Sequence, residues 1–246
     1  MSLFPTVSLR SGAAKSWTRA ELVDIVGLTI VISLENRSMS KSTTLANDDS
    51  VTSVRPAATI SPRKLAHVVL RTRSNLDAMV QWYCVVLGAQ VVFNAGPLIF
   101  LSYDDEHHRI AIAASEHLAE RLPRSAGLDH IAFTYGDIDA LLTTYARLKQ
   151  AGILPFVCVN HGPTTSLYYH DPDQNRIELQ VDNFADMNEA TTLMQEQFRI
   201  NPVGEEFDPE ELLARLRSGV DAAELVRPSQ KPSPPTKELI AKIIRS

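Results

Sequence analysis

Four equivalent positions of a repeated sequence pattern could face a metal ion, and three of them hold side chains that bind metals. The pattern begins with Leu65-Ala66-His67-Val68 and begins again with Leu128-Asp129-His130-Ile131. Each copy closes with an alternating segment that contains Ala111 in the first copy and Glu178 in the second. The histidines stand 63 positions apart, and the closing positions stand 67 apart. A period of this length indicates a duplicated supersecondary unit.

The three metal-binding side chains are His67, His130 and Glu178. A single strand histidine is more often a core residue, and a single strand glutamate more often faces solvent. The histidine recurs at the same place in both copies, however, and neutral imidazole is the commonest metal ligand. Two histidines and one carboxylate with open coordination positions suit a non-haem Fe(II) oxygenase. The repeat therefore predicts three protein ligands, with positions left for substrate oxygens and dioxygen.

The elements that must position these residues are predicted to form two βαβββ units. The first unit has a strand, a helix that Gly88 ends and three more strands, at 64–71, 75–87, 89–94, 97–103 and 108–114. The second has the same order, at 127–134, from Asp137 or Asp139 to 150, and at 154–159, 165–170 and 175–181. Each unit alone leaves one sheet face uncovered, so the two must pack together or a partner must cover them. We expect an α+β fold in which the paired modules form a cupped mixed sheet around the metal site.

Composition limits the classes of function. The 246 residues, of which 44% are hydrophobic, suffice for one core. The net charge of −5 argues against a nucleic-acid binder. No apolar run reaches the roughly 18 residues of a membrane span. Cys84 and Cys158 are interpreted as two buried, reduced thiols, and we expect a cytoplasmic protein.

Three regions are predicted along the chain. Residues 1–62 form a leader and linker that is largely disordered; basic residues and no acid before Glu21 leave an organelle transit peptide as an alternative. Residues 63–183 form the catalytic domain, with modules at about 63–115 and 126–183. Residues 184–246 form an extension with helices over 209–218 and 237–244, joined by a proline-rich segment, and this extension could wrap the domain or a neighbouring subunit.

Residues 64–182 resemble the vicinal-oxygen-chelate superfamily, in particular the one-domain form of the type I extradiol ring-cleavage dioxygenases. Each motif is weak alone, but their joint order is specific. The resemblance is carried by Leu65-Ala66-His67, Asp105-Glu106-His107-His108 leading into Arg109-Ile110-Ala111, Gly127-Leu128-Asp129-His130, His161-Gly162, Ser166-Leu167-Tyr168-Tyr169 and Asn175-Arg176-Ile177-Glu178, and in the tail by Asn201-Pro202-Val203-Gly204 and Phe207-Asp208-Pro209-Glu210.

The resemblance implies that His67, His130 and Glu178 bind Fe(II), or Mn(II) in some relatives. It implies that His108 is the active-site acid and base, and that Tyr168 and His161 hydrogen-bond the substrate or its intermediates. A histidine can accept the proton that a catechol loses on binding and later return it, because its pKa lies near neutrality. The implied partners are an aromatic diol and O2, and we expect a homodimer.

Two residues depart from the family pattern. Gln174 stands in a turn where the family commonly has glycine, so a positive φ there would introduce strain. His170 stands where another polar residue would be less surprising, and it is either a surface residue or a substrate contact. Neither departure removes a predicted metal ligand.

Alternative functions remain at this level. A non-redox enzyme of the same superfamily, such as a glyoxalase, lyase or isomerase, generally needs a ligand at the position of Ala111. A metal-free binding protein of the bleomycin-resistance type gives no reason for the repeated histidines. An accessory protein with a relict site is a third alternative. The sequence favours the dioxygenase.

Overall fold

A computed structural model of the chain describes residues 22–25, 28–31, 60–119, 122 and 125–245. Residues Met1–Pro56 form a separate unit, in which strands β1 (Leu22–Ile25) and β2 (Leu28–Val31) pair as an antiparallel hairpin. Most of the predicted leader and linker lies outside the described residues. The division at residues 62 and 183 therefore stays a prediction.

The first βαβββ module has the predicted order of elements. They are β3 (Val68–Thr72), α1 (Leu76–Leu87), β4 (Gln90–Asn94), β5 (Leu98–Ser102) and β6 (Ile110–Ala114). The strand order is β3-β6-β5-β4, with β3 parallel to β6 and the other pairs antiparallel. Gly88 ends α1 at φ 65°, a left-handed conformation that glycine adopts without a steric penalty.

The second module repeats this order. It contains β7 (His130–Thr134), α2 (Ile138–Gln150), β8 (Val157–Asn160), β9 (Thr164–His170) and β10 (Arg176–Asp182). Asp137 caps α2, because its carboxylate accepts a hydrogen bond from the Ala140 amide. The sheet order is β11-β8-β9-β10-β7, with β7 parallel to β10. The predicted α+β fold of paired modules is confirmed.

The extension after β10 adds four helices and one short strand to this domain. They are α3 (Met187–Gln197), β11 (Glu205–Glu206), α4 (Pro209–Arg217), α5 (Ala222–Leu225) and α6 (Lys237–Arg245). Helices α4 and α6 agree with the predicted ranges, whereas α3, α5 and β11 were not predicted. Strand β11 pairs with β8, so the extension becomes the edge of the second sheet.

The two modules share one hydrophobic core, which lies between the helices and one face of each sheet. Met79 and Tyr83 of α1 are fully buried and belong to the same cluster as Leu148 of α2. Ile177 and Leu179 of β10 are also in this cluster. Burying side chains of this size contributes roughly 1.5–3 kcal/mol each. A one-residue slip of β10 would exchange these residues for Glu178, so the core fixes the register that turns Glu178 to the opposite face.

The segment before β3 differs from the prediction, because β3 begins at Val68 and His67 precedes it instead of lying mid-strand. The Arg109 guanidinium donates hydrogen bonds to the Leu65 and Ala66 carbonyls at 3.1 and 3.0 Å. These carbonyls are therefore satisfied by a side chain instead of a neighbouring strand. The strand ladder starts one residue after His67.

The two cysteines were predicted to be buried, reduced thiols. Cys84 and Cys158 are free thiols, as predicted, although Cys84 is half-buried and Cys158 is buried. Burial raises the pKa of the Cys158 thiol to about 12, so this cysteine is an inert core residue.

None of the helices in the described part of the chain has the length and apolar character that a membrane span requires.

Replacing Gln174 by glycine is expected to stabilise the protein. Gln174 is exposed and has φ 62°, and among the described residues it is the one non-glycine residue with positive φ. A non-glycine residue in this region costs roughly 1–2 kcal/mol, and the greater freedom of glycine in the unfolded chain offsets part of the gain. We expect a net increase of about 0.5–1 kcal/mol in the free energy of unfolding by urea denaturation.

The matched control is Gln150→Gly at the exposed last residue of α2, where φ is helical. This change should lower the free energy of unfolding by roughly 0.5–1 kcal/mol. Equal destabilisation by both substitutions would show that Gln174 is not strained.

Candidate metal centre

The register of the second sheet places Glu178 between two neighbours on one sheet face. Glu178 of β10 lies opposite Ala132 of β7 and Tyr168 of β9, and Tyr168 lies opposite Val157 of β8. Cross-strand partners present their side chains on the same face. We call Ala132, Glu178, Tyr168 and Val157 the second-module row.

The first sheet has an equivalent row. Ala111 of β6 lies opposite Val69 of β3 and Phe100 of β5, and Phe100 lies opposite Phe93 of β4. We call Val69, Ala111, Phe100 and Phe93 the first-module row. Ala111 thus occupies the place of Glu178, in agreement with the repeat, and Phe100 occupies the place of Tyr168. The first row is wholly apolar, whereas the second carries a carboxylate and a hydroxyl.

His130 and Glu178 contact each other directly. The Nε2 atom of His130 is 2.9 Å from Oε2 of Glu178, and its Nδ1 atom is 2.7 Å from Oδ2 of Asp129. The hydrogen bond to Glu178 and the one to Asp129 outweigh desolvation and raise the pKa of His130 to about 9. Burial would raise the pKa of Glu178, but hydrogen bonds from His130 and Ser166 hold it below its usual value. The buried carboxylate is therefore ionised beside a positive charge.

This arrangement fits a metal ion. Because Asp129 accepts the hydrogen of Nδ1, Nε2 is the ring atom that faces Glu178. A carboxylate behind a histidine is the usual way in which proteins orient an imidazole toward a metal. Glu178 is 4% exposed, and a buried carboxylate needs a cation or several hydrogen bonds. The imidazolium supplies that positive charge in this structure, and a divalent ion between the two side chains would supply it equally well.

His67 and His108 form a second pair, on the side of the first module. Their ring centroids are 4.3 Å apart, and the His108 ring packs edge-on against Phe100 at 4.9 Å. His67 is exposed and His108 is half-buried. Burial, with smaller contributions from His107 and His67, lowers the pKa of His108 below its ordinary value. His108 is therefore neutral at pH 7 and able to accept a proton.

The three predicted ligands are not gathered at one point. Within the described residues, no group of three or more histidine, cysteine, aspartate and glutamate side chains is close enough to hold one ion. The structure brings His130 to Glu178 and His67 to His108, each pair on its own module. The complete set of three ligands stays a prediction.

Tyr168 and His161, which were predicted to contact substrate, contact each other. Nδ1 of His161 donates to the Val203 carbonyl, so Nε2 accepts the hydroxyl hydrogen of Tyr168 at 2.8 Å. Burial lowers the pKa of His161, which keeps the ring in this neutral form. The Tyr168 ring packs edge-on to His130 at 5.6 Å. The tail residue Val203 thus fixes His161, and His161 fixes the hydroxyl of Tyr168 next to the candidate ligands.

Comparison with known proteins identifies the family. Residues 64–179 match the model of the Glyoxalase/Bleomycin resistance protein/Dioxygenase superfamily. Biphenyl-2,3-diol 1,2-dioxygenase 3 of Rhodococcus globerulus is 46% identical over 170 residues, which cover 68% of this chain and 88% of that relative. The chain belongs to this superfamily. Biphenyl-2,3-diol 1,2-dioxygenase 2 of the same organism is 48% identical over 158 residues, which cover 63% of this chain and 83% of the relative. The predicted resemblance to the superfamily's ring-cleavage dioxygenases is confirmed.

Two residues of this superfamily member were named in the sequence motifs without a role. Asp129 orients His130, and the Nη1 atom of Arg176 is 3.2 Å from Oδ1 of Asp129. An acid next to a repeated histidine was the available signal for Asp129. Arg176 gave no such signal, because its role depends on the parallel pairing of β10 with β7, which sets it opposite His130.

His170, the second departure from the family pattern, is a packing residue. Its ring stacks on Phe156 at a centroid distance of 4.2 Å and an interplanar angle of 12°. Burial lowers its pKa, with a smaller contribution from the nearby charge of Arg176. A neutral ring stacked in this way supports Phe156, the ring over which the Arg176 guanidinium lies.

Proposed function

We propose that the chain opens the ring of a bicyclic catechol with O2 at an Fe(II) ion held by His67, His130 and Glu178. The chain is an extradiol ring-cleavage dioxygenase, as its relatives indicate, and the identities of 46% and 48% extend over most of their lengths. The observation that carries the proposed metal site is the contact of buried Glu178 with a histidine that Asp129 orients. Two nitrogen donors and one carboxylate suit Fe(II), and they also accept Mn(II).

The residues around the ion would each have a distinct task. Bound Fe(II) supplies the electron transfer that allows O2 to react with the catecholate ring. His108, neutral at pH 7, accepts the proton that a catechol hydroxyl loses and can return it to the product. Tyr168 lies beside Glu178, and its hydroxyl hydrogen is held by His161, so its oxygen would accept a hydrogen bond from a catechol hydroxyl that has kept its proton.

The first-module row favours a substrate with a second ring. Val69 is 55% exposed and Phe93 is 61% exposed, so this sheet face offers uncovered apolar surface. His108 packs on Phe100 of the same row, so the surface is continuous with the proposed base. The relatives carry biphenyl-2,3-diol in their names, and its unsubstituted ring is of the right chemistry for this surface. We propose that the second ring lies on Phe100 and Phe93.

Replacing Phe100 by alanine is expected to discriminate between substrates. Losing contact with one buried ring costs roughly 1.5–3 kcal/mol, which corresponds to about a ten- to hundredfold rise in KM for biphenyl-2,3-diol. The KM for catechol, which has no second ring, should change less than about threefold. Phe184→Ala is the control, since Phe184 is also half-buried and lines a separate depression beside α3. An equal rise for both substrates would place the second ring elsewhere.

The function is tested by anaerobic reconstitution with Fe(II), metal quantification and oxygen uptake with a panel of one-ring and two-ring catechols. About one iron per chain, catechol-dependent oxygen uptake and a yellow ring-cleavage product are expected. Bound metal without oxygen uptake would favour a non-redox enzyme of the superfamily. A chain that binds no metal would favour a metal-free binding protein.

We also propose that the chain forms a homodimer. Strand β4 is an edge of the first sheet and all five of its residues are exposed, including Val91 and Val92. Exposed apolar edge strands are surfaces that a partner commonly covers. Light scattering should give twice the chain mass of 27.2 kDa, and the mass of one chain would contradict the proposed dimer.

A further inference from the structure

A chain of hydrogen bonds connects the C-terminal helix to the candidate metal ligand His130. Nη2 of Arg176 donates to the carbonyl of Ile243 in α6, and Nη1 of Arg176 donates to Oδ1 of Asp129 at 3.2 Å. Oδ2 of Asp129 accepts the Nδ1 hydrogen of His130 at 2.7 Å. One guanidinium therefore joins helix α6 to the residue that orients His130.

The two central residues of this hydrogen-bond series, Asp129 and Arg176, differ in how strongly their surroundings restrict them. The Asp129 side chain is 60% exposed, so by itself it has water around it and several accessible rotamers. The Arg176 side chain is 12% exposed, and its guanidinium carbon lies 6.0 Å from the centroid of the Phe156 ring. A guanidinium presents its donors in a rigid planar fork, so fixing one end fixes the direction of the other. The contact of Arg176 with Ile243 therefore helps to fix the direction in which the guanidinium meets Asp129.

Helix α6 supplies that second contact and is itself anchored. Leu239 is 2% exposed and packs in a small cluster with Val157, Val159 and Val203, against which Ile243 also packs. Lys242 forms an ion pair with Glu206 of β11 at the surface. Val157 belongs to the second-module row, so α6 lies on the same sheet face as Glu178 and Tyr168. The tail of the chain is therefore part of the wall of the candidate centre.

We propose that Arg176 and helix α6 are positioning elements for the metal ligand His130, an inference that rests on the proposed metal site. Docked α6 holds Arg176, Arg176 holds Asp129, and Asp129 turns Nε2 of His130 toward Glu178. Loss of an outer hydrogen-bond partner of a metal ligand typically lowers metal affinity about 10–100-fold. Neither Arg176 nor α6 touches the ion or the substrate in this scheme.

The test is Co(II) binding to metal-free, full-length protein, measured by competition with a chelator. Arg176→Met removes the guanidinium and keeps an apolar side chain. Leu239→Ala weakens the packing of α6 and leaves Arg176 in place. We expect each variant to bind Co(II) about tenfold more weakly and to change the visible absorption of bound Co(II). Lys242→Met is the matched control, because it removes a contact of α6 outside the chain to His130, and its affinity should equal that of the wild type.

The double variant Arg176→Met/Leu239→Ala separates this scheme from general destabilisation. If α6 acts through Arg176, the double variant binds Co(II) no more weakly than Arg176→Met alone, since coupled residues are not additive. The proposal would be overturned if the fold-losses in Co(II) affinity of the two single variants multiplied in the double variant. It would also be overturned if Lys242→Met lost as much affinity as Leu239→Ala. Unchanged affinity in Arg176→Met would do the same. A wild-type chain that binds no Co(II) would instead overturn the proposed metal site.

Discussion

Glu178→Ala is expected to abolish metal binding and, with it, oxygen uptake. Glu178 is 4% exposed and provides the carboxylate of the proposed ligand set, facing the Nε2 atom of His130 at 2.9 Å. Without it, two neutral imidazoles remain to hold a divalent ion in competition with water. We expect catechol-dependent oxygen uptake to fall by about three orders of magnitude or more, equivalent to ~4 kcal/mol of lost stabilisation of the transition state. Metal content after reconstitution should fall in parallel.

The control for this variant is Glu205→Ala, which removes an exposed carboxylate from β11. It should keep full metal content and full oxygen uptake. His67→Ala and His130→Ala are expected to lose metal as Glu178→Ala does, because each removes one of three ligands. Oxygen uptake retained in Glu178→Ala would remove the assignment of the ligand set, whatever the behaviour of the two histidines.

The order and type of the main elements could be predicted because each segment carries one clear period. In α1, Met79, Tyr83 and Val86 recur at helical spacing, and all three are fully buried in the structure. In β10, Ile177 and Leu179 alternate with Glu178, and the alternation places the carboxylate opposite the core. Local patterns of this kind report which face is buried without knowledge of the partner.

Elements that depend on distant partners could not be predicted in the same way. Helix α3 has a cap at Asp186 and apolar residues at helical spacing, but Ala190 is its single buried residue, so little of this apolar face packs against the core. Strand β11 has two residues and exists because it pairs with β8. His67 precedes its strand because the guanidinium of Arg109, over 40 positions away, takes the preceding carbonyls. In each case the deciding contact is tertiary.

For the candidate site, too, the sequence predicts some features, and the others depend on tertiary contacts. The repeat predicts which positions correspond, and the pairing of Ala111 and Glu178 with equivalent neighbours agrees with it. The repeat holds no information on the distance between modules, so the separation of the His67 pair from the His130 pair could not be predicted. The bond of Tyr168 to His161 and the support from Arg176 also depend on the tail and on strand pairing.

His108→Gln is expected to keep the metal and lose turnover. His108 lies beside His67 and against Phe100, and the lowered pKa keeps its imidazole neutral at pH 7. A positioned base typically contributes about 10²–10⁴-fold to rate, and we expect a loss in kcat of that order. Since the neutral form is the base, wild-type activity should rise as pH increases through a pKa below 6.5, and the variant should lack this rise.

His107→Gln is the matched control, because His107 is the adjacent residue and its side chain is 71% exposed. It should keep metal content, kcat and the acidic limb of the pH profile close to those of the wild type. The pair of variants thus decides which histidine of the doublet faces the substrate. Full turnover in His108→Gln with loss in His107→Gln would reverse the assignment, and full turnover in both would leave the catechol proton to the solvent or to Tyr168.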